Sequence, residues 1–370
     1  MSKLIDFGSL SLNKDAYSGS DEKYNDIYEG QWYMFKFGSV LEPDEKKPMQ
    51  ASYENSPLSE YLGCHVASAL GLETQKTLLG TYHGRSVVAC HDFIRNSTEP
   101  TSLVQFNQLE NSFPGGSKTN RRTPEYQFTV SLLNEHPWLE PIRQEAINRF
   151  WDTLCLDALI GNFDRHAGNW GYIADQYHMA AGVAPVYDCG SAFYPRLDKV
   201  YLEQMGHDYQ KMKERILSFP NARLMINGKR PHYQDLLTSE EGKPARNRLI
   251  LLAESMDLAK LHDIVNSAPG IDETYRVFCN TMLDARYNEI IKPAIRLALK
   301  EENHYSVATV HKDSRPVQGD IANAAPVDST QLRNASDVLS TINRIMDRKA
   351  SPKPFAGKSD SPRNERHFKQ

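Results

Sequence analysis

Leu159-Ile-Gly-Asn-Phe-Asp-Arg-His-Ala-Gly-Asn-Trp-Gly-Tyr172, answered downstream by Pro185-Val-Tyr-Asp-Cys-Gly-Ser191, decides how the rest of the chain is read. Asp164 and Asn169 lie five positions apart at the end of a helical run, and Asp188 follows a short apolar stretch and precedes Cys189-Gly190. That is the layout of a phosphoryl-transfer site. Such chemistry needs a carboxylate to accept the proton of an attacking hydroxyl, and oxygen ligands for the Mg²⁺ that offsets phosphate charge. Asp164 suits the first role, and Asn169 and Asp188 suit the second.

Working outward, Ile142, Ala146, Phe150, Leu154 and Ala158 repeat at helical spacing from Pro141 onward, and Ile147, Trp151, Cys155, Leu156 and Leu159 widen the stripe. A helix apolar over so much of its surface belongs in a core, so Asp164 hangs on a rigid support. Beyond Asp188 the segments around Lys211 to Leu217, Arg246 to Ala259, Leu261 to Ser267 and Glu273 to Lys300 have helical patterns. The second half of the chain should be mostly α.

The first half has a different period. Asn25 to Tyr28 and Trp32 to Phe37 flank Glu29-Gly30, an aromatic-rich hairpin signal. Alternation puts Tyr33, Phe35 and Phe37 on one face and Met34 and Lys36 on the other, where Lys36 meets either an anion or solvent. Ser56 as N-cap, Pro57, the spacing of Leu58, Tyr61, Leu62, Val66 and Ala69, and Gly71 as a terminal glycine predict a helix of about four turns. Glu60 shares a stripe with Cys64 and Ala67, so it reaches either a buried lysine or solvent near the helix start. Thr77 to Tyr82 and Arg85 to Cys90 form a second hairpin around His83-Gly84, and His91-Asp-Phe93 closes the last strand. Asn96 to Arg122 reads as polar loop.

The 370 residues suffice for a two-lobed catalytic domain and a tail. A formal net charge of -4 gives no global field for nucleic acid or an anionic membrane, and no window approaches membrane-spanning length. The five cysteines are far apart, with no Cys-x-x-Cys pair, which favours reduced thiols in a cytoplasm. Near residue 303 large apolar residues thin out. The expected division is 1–93 as a β-rich lobe with a phosphate loop, 94–302 as a helical lobe, and 303–370 as a largely disordered tail carrying a short helix at 335–347.

Taken together, Ser56-Pro-Leu-Ser-Glu-Tyr-Leu-Gly-Cys-His65, Thr77-Leu-Leu-Gly-Thr-Tyr82, Val87-Val-Ala-Cys90 and above all Gly161-Asn-Phe-Asp-Arg-His-Ala-Gly-Asn169 resemble the HipA-like serine/threonine kinases. The likeness runs from about residue 5 to 300 and is closer to compact members without the extra N-terminal subdomain. It implies an α+β, two-lobed protein-kinase-like fold, with a small β-rich N-lobe and a mostly helical C-lobe. It implies ATP and Mg²⁺ as cofactors, Asp164 as general base, Asn169 and Asp188 on Mg²⁺, and Lys36 on the phosphates. It further implies a phosphate loop from Ser18-Gly19-Ser20 to Lys23, adenine contacts through the backbone of His91 to Phe93, and His166 either near the phosphates or bracing its loop. Ser18 and Ser20 become candidates for autophosphorylation. The expected acceptor is a protein Ser or Thr, with an antitoxin-like or docking partner, no DNA binding by this chain itself, and a cytoplasmic location with delivery as an effector left open.

The pattern departs from the protein kinases in three places. No Gly-x-Gly-x-x-Gly is present, Cys189 stands where many kinases have Phe, and Asp-Arg-His replaces His-Arg-Asp. Phosphoinositide kinases share that order, so lipid phosphorylation is an alternative, as are an ATP-binding regulatory module without turnover and nucleotidyl transfer. The chain is short for a lipid kinase and has no basic membrane-facing patch beyond Lys118 to Arg122 and the tail.

Overall fold

Glu29-Gly30 and His83-Gly84 bend with φ of 49° and 77°, and of 47° and 80°, in a computed structural model that describes residues 3–14, 23–42, 49–51, 54–115 and 123–301. Positive φ at both central residues is the type I′ geometry that matches strand twist. These turns join β3 (Lys23–Tyr28) to β4 (Gln31–Phe37) and β5 (Thr77–Tyr82) to β6 (Arg85–His91). With β1 (Ile5–Asp6) and β2 (Asn13–Lys14) they form a six-stranded sheet in the order β1-β5-β6-β4-β3-β2, in which only β1 runs parallel to its neighbour. Gly80 permits the β1 pairing, because a Cβ there would lie 2.2 Å from the Ile5 carbonyl oxygen.

Alternation along β4 separates two cores. Phe35 and Phe37 join Phe7, Val87 and Ala89 on one face. Met34 points to the other, where Leu79, Val88 and Cys90 meet Leu58 and Tyr61 of α1 (Ser56–Ala69). The helix starts one residue away from expectation, since Asn55 is the cap residue and Ser56 is the first helical one, whereas Gly71 closes it at φ 82° as its position predicts.

The stretch expected as loop between 96 and 122 holds two further elements, β7 (Ser102–Gln105) and α2 (Phe106–Ser112). β7 is completed only from beyond the Asp164 turn, pairing with β8 (Gly171–Ala174), which pairs in turn with β9 (Ala180–Val183). The α2 start is set by a Gln105/Gln108 box, a weaker textual signal than Ser or Asp. After α3 (Tyr126–Glu135) and a 3₁₀ turn at Pro137–Ile142, α4 (Arg143–Ile160) runs through the helical lobe, with every residue from Phe150 to Ile160 buried.

Around α4 lie α5 (Lys199–His207), α6 (Tyr209–Ser218), α7 (Tyr233–Thr238), α8 (Lys243–Leu252), α9 (Leu258–Ser267) and α10 (Glu273–Arg286). α10 passes through a π turn at Tyr287–Ile291 and stays helical to residue 301. The helix expected across 246–259 breaks near residue 253, because Asp257 caps α9 by accepting from the Ala259 N–H. The result is a two-lobed, kinase-like fold with a mixed-sheet N-lobe and a helical C-lobe. No helix among the described residues is long and apolar enough to cross a membrane.

Candidate active site

Lys23 and Lys36 are direct cross-strand partners on β3 and β4, and both face the cleft between the lobes. Like charges placed opposite each other are unfavourable unless an anion sits on them. The protein supplies two: Lys36 Nζ lies 3.3 Å from Glu60 Oε2 on α1 and 3.3 Å from Asp188 Oδ1. Glu60 is only 1 % exposed, and its other oxygen accepts the Cys189 N–H at 3.0 Å. One carboxylate therefore ties the sheet lysine to the Asp188 loop. The approach is close enough that a Cβ on Gly63 would sit 2.4 Å from the Cys189 Cβ. Burial disfavours charge on Lys36, but Asp188 and Glu60 more than offset it and hold the amine well above its ordinary value. Burial likewise pushes Asp188 up, while Lys36, Lys23 and Arg165 draw it down to about 2. The Asp188 contribution to stability is thus present above the usual carboxylate range and lost only as pH falls toward 2.

The Asp164 turn begins where α4 ends, at Gly161 with φ 66°. Asp157, in the last turns of the helix, is 1 % exposed and would be costly alone in that apolar surface. Arg165 answers it, with Nε to Asp157 Oδ2 at 3.0 Å and Nη2 to Oδ1 at 3.1 Å, and Asn162 Nδ2 adds a third contact at 3.0 Å. Burial pushes the Asp157 carboxyl up, yet three donors on its two oxygens fit the carboxylate rather than the acid. Arg165 also donates to the Asn169 carbonyl at 3.0 Å, to the Tyr187 carbonyl, and to Cys189 Sγ at 3.4 Å. One buried guanidinium thereby ties the Asp164 turn to the Asp188 turn. Asp188 itself is held at φ 59°, a left-handed conformation that Asp tolerates better than most residues.

Within the turn, Asn169 Nδ2 and the His166 N–H both donate to the Asp164 carbonyl, at 2.8 Å each. His166 Nδ1 accepts from the Gly168 N–H at 3.0 Å, which braces the loop. Lys23, Lys36, Glu60, Phe93, Asp164, His166, Asn169 and Asp188 all line one cleft of about 740 Å³, within the size range of small-molecule sites. His91 does not. Its ring bonds Gln31 Oε1 at 3.0 Å, its N–H donates to the Lys76 carbonyl, and its carbonyl accepts from Gln75 Nε2. Its main-chain N–H and carbonyl, expected at the adenine, each have a partner within the protein, whereas Phe93 makes no main-chain hydrogen bond among the described residues. Ser18, Gly19 and Ser20, like the 303–370 tail, lie outside the described residues.

Two features at or beside the cleft were not expected from the sequence. Arg223, from the segment between α6 and α7, places Nη2 2.5 Å from Asp164 Oδ1. The face of α2 carrying Asn107, Glu110 and Asn111 forms the cleft wall. Asn107, Glu110 and Asn111 share helical spacing, a signal that could have placed them on one face, whereas nothing in the sequence around Arg223 points to Asp164. Burial raises Glu110 from 4.5 to about 7. The folded state then binds the extra proton between those values, so stability should fall as pH rises through that window, by roughly 1 to 3 kcal/mol. Thermal unfolding from pH 4.5 to 8 should show this slope in the wild-type chain and lose it in Glu110→Gln. Equal slopes would remove Glu110 as its source.

A lysine and glutamate pair from sheet and helix, an Asp-x-x-x-x-Asn turn and a following Asp-x-Gly, converging on one cleft between two lobes, define a kinase. The HipA-like C-terminal domain family matches residues 16–239, and the chain belongs to that family. It is 35 % identical over 309 residues to the serine/threonine-protein kinase CtkA of Helicobacter pylori, covering 82 % of this chain and 92 % of that one. The crystal structure of the H. pylori proinflammatory kinase CtkA superposes with a TM-score of 0.72 at 32 % identity, covering 80 % of this chain and 98 % of the other. A Shewanella oneidensis MR-1 HipA, HipB and operator DNA complex is more distant, at TM-score 0.48 and 13 % identity, covering 77 % of this chain and 67 % of that one.

Proposed function

We propose that the chain transfers the γ-phosphoryl group of ATP, with Mg²⁺, to a Ser or Thr hydroxyl of a protein, residues 1–93 holding the nucleotide phosphates and 94–302 the acceptor side. The observation that carries this reading is the Lys36–Glu60–Asp188 triad sharing a cleft with Asp164 and Asn169. The residues fit the cofactors. Two lysines opposite one another suit a polyphosphate, and Asn169, its amide nitrogen engaged on Asp164, has its oxygen left for a cation. No cluster of three His, Cys, Asp or Glu side chains is gathered among the described residues, and Mg²⁺ requires none, since one or two side chains plus phosphate oxygens suffice. When bound, Mg²⁺ offsets charge on the transferred group.

Lys36 and Lys23 hold the phosphates, Glu60 keeps Lys36 aimed, and Phe93 presents free backbone groups to the adenine. Asp164 orients the acceptor hydroxyl and takes its proton as the oxygen bonds to phosphorus and ADP leaves. His166 braces this turn. Ser18 to Lys23 serves as the phosphate loop, with Ser18 and Ser20 as self-acceptors. Incubation with γ-labelled ATP, Mg²⁺, the full chain and dephosphorylated casein should label the chain, the casein, or both on Ser or Thr. Label on neither, or mass spectra showing added AMP, would overturn the reading.

A further inference from the structure

Arg223 stands outside the lining of the nucleotide cleft, yet its guanidinium makes the shortest polar contact to the proposed base, Nη2 to Asp164 Oδ1 at 2.5 Å. It is not a surface arginine that happens to reach a carboxylate. Its side chain is 19 % exposed, and a second nitrogen, Nη1, donates to Thr123 Oγ1 at 3.3 Å. The backbone beneath it is pinned from both sides. Arg230 donates from Nε to the Ala222 carbonyl at 3.1 Å and from Nη2 to the Asn221 carbonyl at 3.2 Å. The Met225 N–H donates to the Pro124 carbonyl and the Tyr126 N–H to the Met225 carbonyl, each at 2.8 Å. Flanking Ala222 and Leu224 are 1 % and 2 % exposed, so the arginine rises from a packed floor.

The contacts divide the functions of Asp164. Its N–H donates to Asn162 Oδ1 at 3.2 Å, its carbonyl is taken by Asn169 and His166, and Oδ1 is taken by Arg223. Among the described residues nothing bonds Oδ2, and Asp164 remains 37 % exposed. A carboxylate anchored through one oxygen can turn only about that anchor, which leaves the other oxygen for an incoming hydroxyl. A structural ion pair would not need to be built onto the one aspartate that chemistry requires to be accessible.

We propose that Arg223 is a positioning residue for phosphoryl transfer: it clamps Asp164 Oδ1 so that Oδ2 faces the acceptor hydroxyl. The inference rests on the reading of Asp164 as the base. Misplacing a reacting group by about 1 Å can cost on the order of 100-fold. Arg223→Ala should therefore lower kcat by about 10- to 100-fold while the KM for ATP, the affinity for Mg²⁺-ADP and the Tm stay within error of wild type. Arg223→Lys, keeping the charge on a single donor nitrogen, should recover part of the loss, and Arg223→Gln, keeping an N–H donor without charge, should recover less.

The test is steady-state transfer to dephosphorylated casein and to the chain itself, with Mg²⁺-ADP binding and thermal unfolding measured on each variant. A kcat within twofold of wild type in Arg223→Ala overturns the inference. So does a loss that tracks falling Tm and ADP affinity, since that is what a structural pair would give. If Arg223→Ala fails to fold, the Lys and Gln variants decide, and equal activity in the two overturns the clamp. Asp164→Asn separates the layers: inactive Asp164→Asn beside normal Arg223→Ala removes the clamp alone, whereas active Asp164→Asn removes the base and the clamp with it.

Discussion

Asp164→Asn should lower kcat by two to four decades, the range expected when a positioned base is lost, with ADP affinity and Tm unchanged. The reason the fold should survive is that the main chain of residue 164, not its carboxylate, holds the turn together. Its N–H and carbonyl engage Asn162, His166 and Asn169. The asparagine retains an oxygen for Arg223, so no buried cation is stranded. What it loses is the ability to accept the acceptor's proton. Labelled-phosphate transfer by the two proteins at matched ADP affinity gives the ratio directly. A rate within tenfold of wild type would mean that Asp164 is not the base.

The parts of the fold visible in the text were those whose signals are local. Glu29-Gly30 and His83-Gly84 specify their hairpins because only certain residues tolerate positive φ in succession. The broad apolar stripe of α4 marked it as a core helix, and the structure buries every residue from Phe150 to Ile160. Ladders closed across long separations were not visible. β7 pairs with β8 on the far side of the Asp164 turn, and β1 joins β5 through Gly80, so neither strand is stabilised by its neighbours in sequence. The site divides in the same way. Lys36, Glu60, Asp164, Asn169 and Asp188, grouped in the sequence by order and spacing, line one cleft in the structure. Arg223 was not so grouped, because an arginine in a polar segment has many solvent-exposed uses and only the folded backbone brings it to Asp164. His91 shows the opposite case: its place in sequence suggests adenine contacts, while its N–H and carbonyl bond Lys76 and Gln75.

The buried pair beneath the site should give the largest stability effect. Asp157→Leu should destabilise the protein by about 3 to 5 kcal/mol, because it leaves the Arg165 guanidinium in the core without its counter-charge. Arg165 is 8 % exposed, with burial opposing its charge and Asp157 the main group restoring it. At a urea m-value of about 3 kcal/mol/M, the midpoint should fall by roughly 1 to 2 M with little change in slope. The double variant Asp157→Leu/Arg165→Met should regain much of that stability, since removing both charges removes the desolvation penalty together with the attraction. Activity should not return with it. Arg165 also holds the Asn169 and Tyr187 carbonyls and Cys189 Sγ, so a methionine there leaves the Asp164 and Asp188 turns without their common tie. A stable double variant with depressed kcat would establish that the pair is retained for register between the two turns rather than for stability. If the double variant were both stable and fully active, that role would fall to Glu60, whose contacts to Lys36 and the Cys189 N–H couple the same loop from the other lobe.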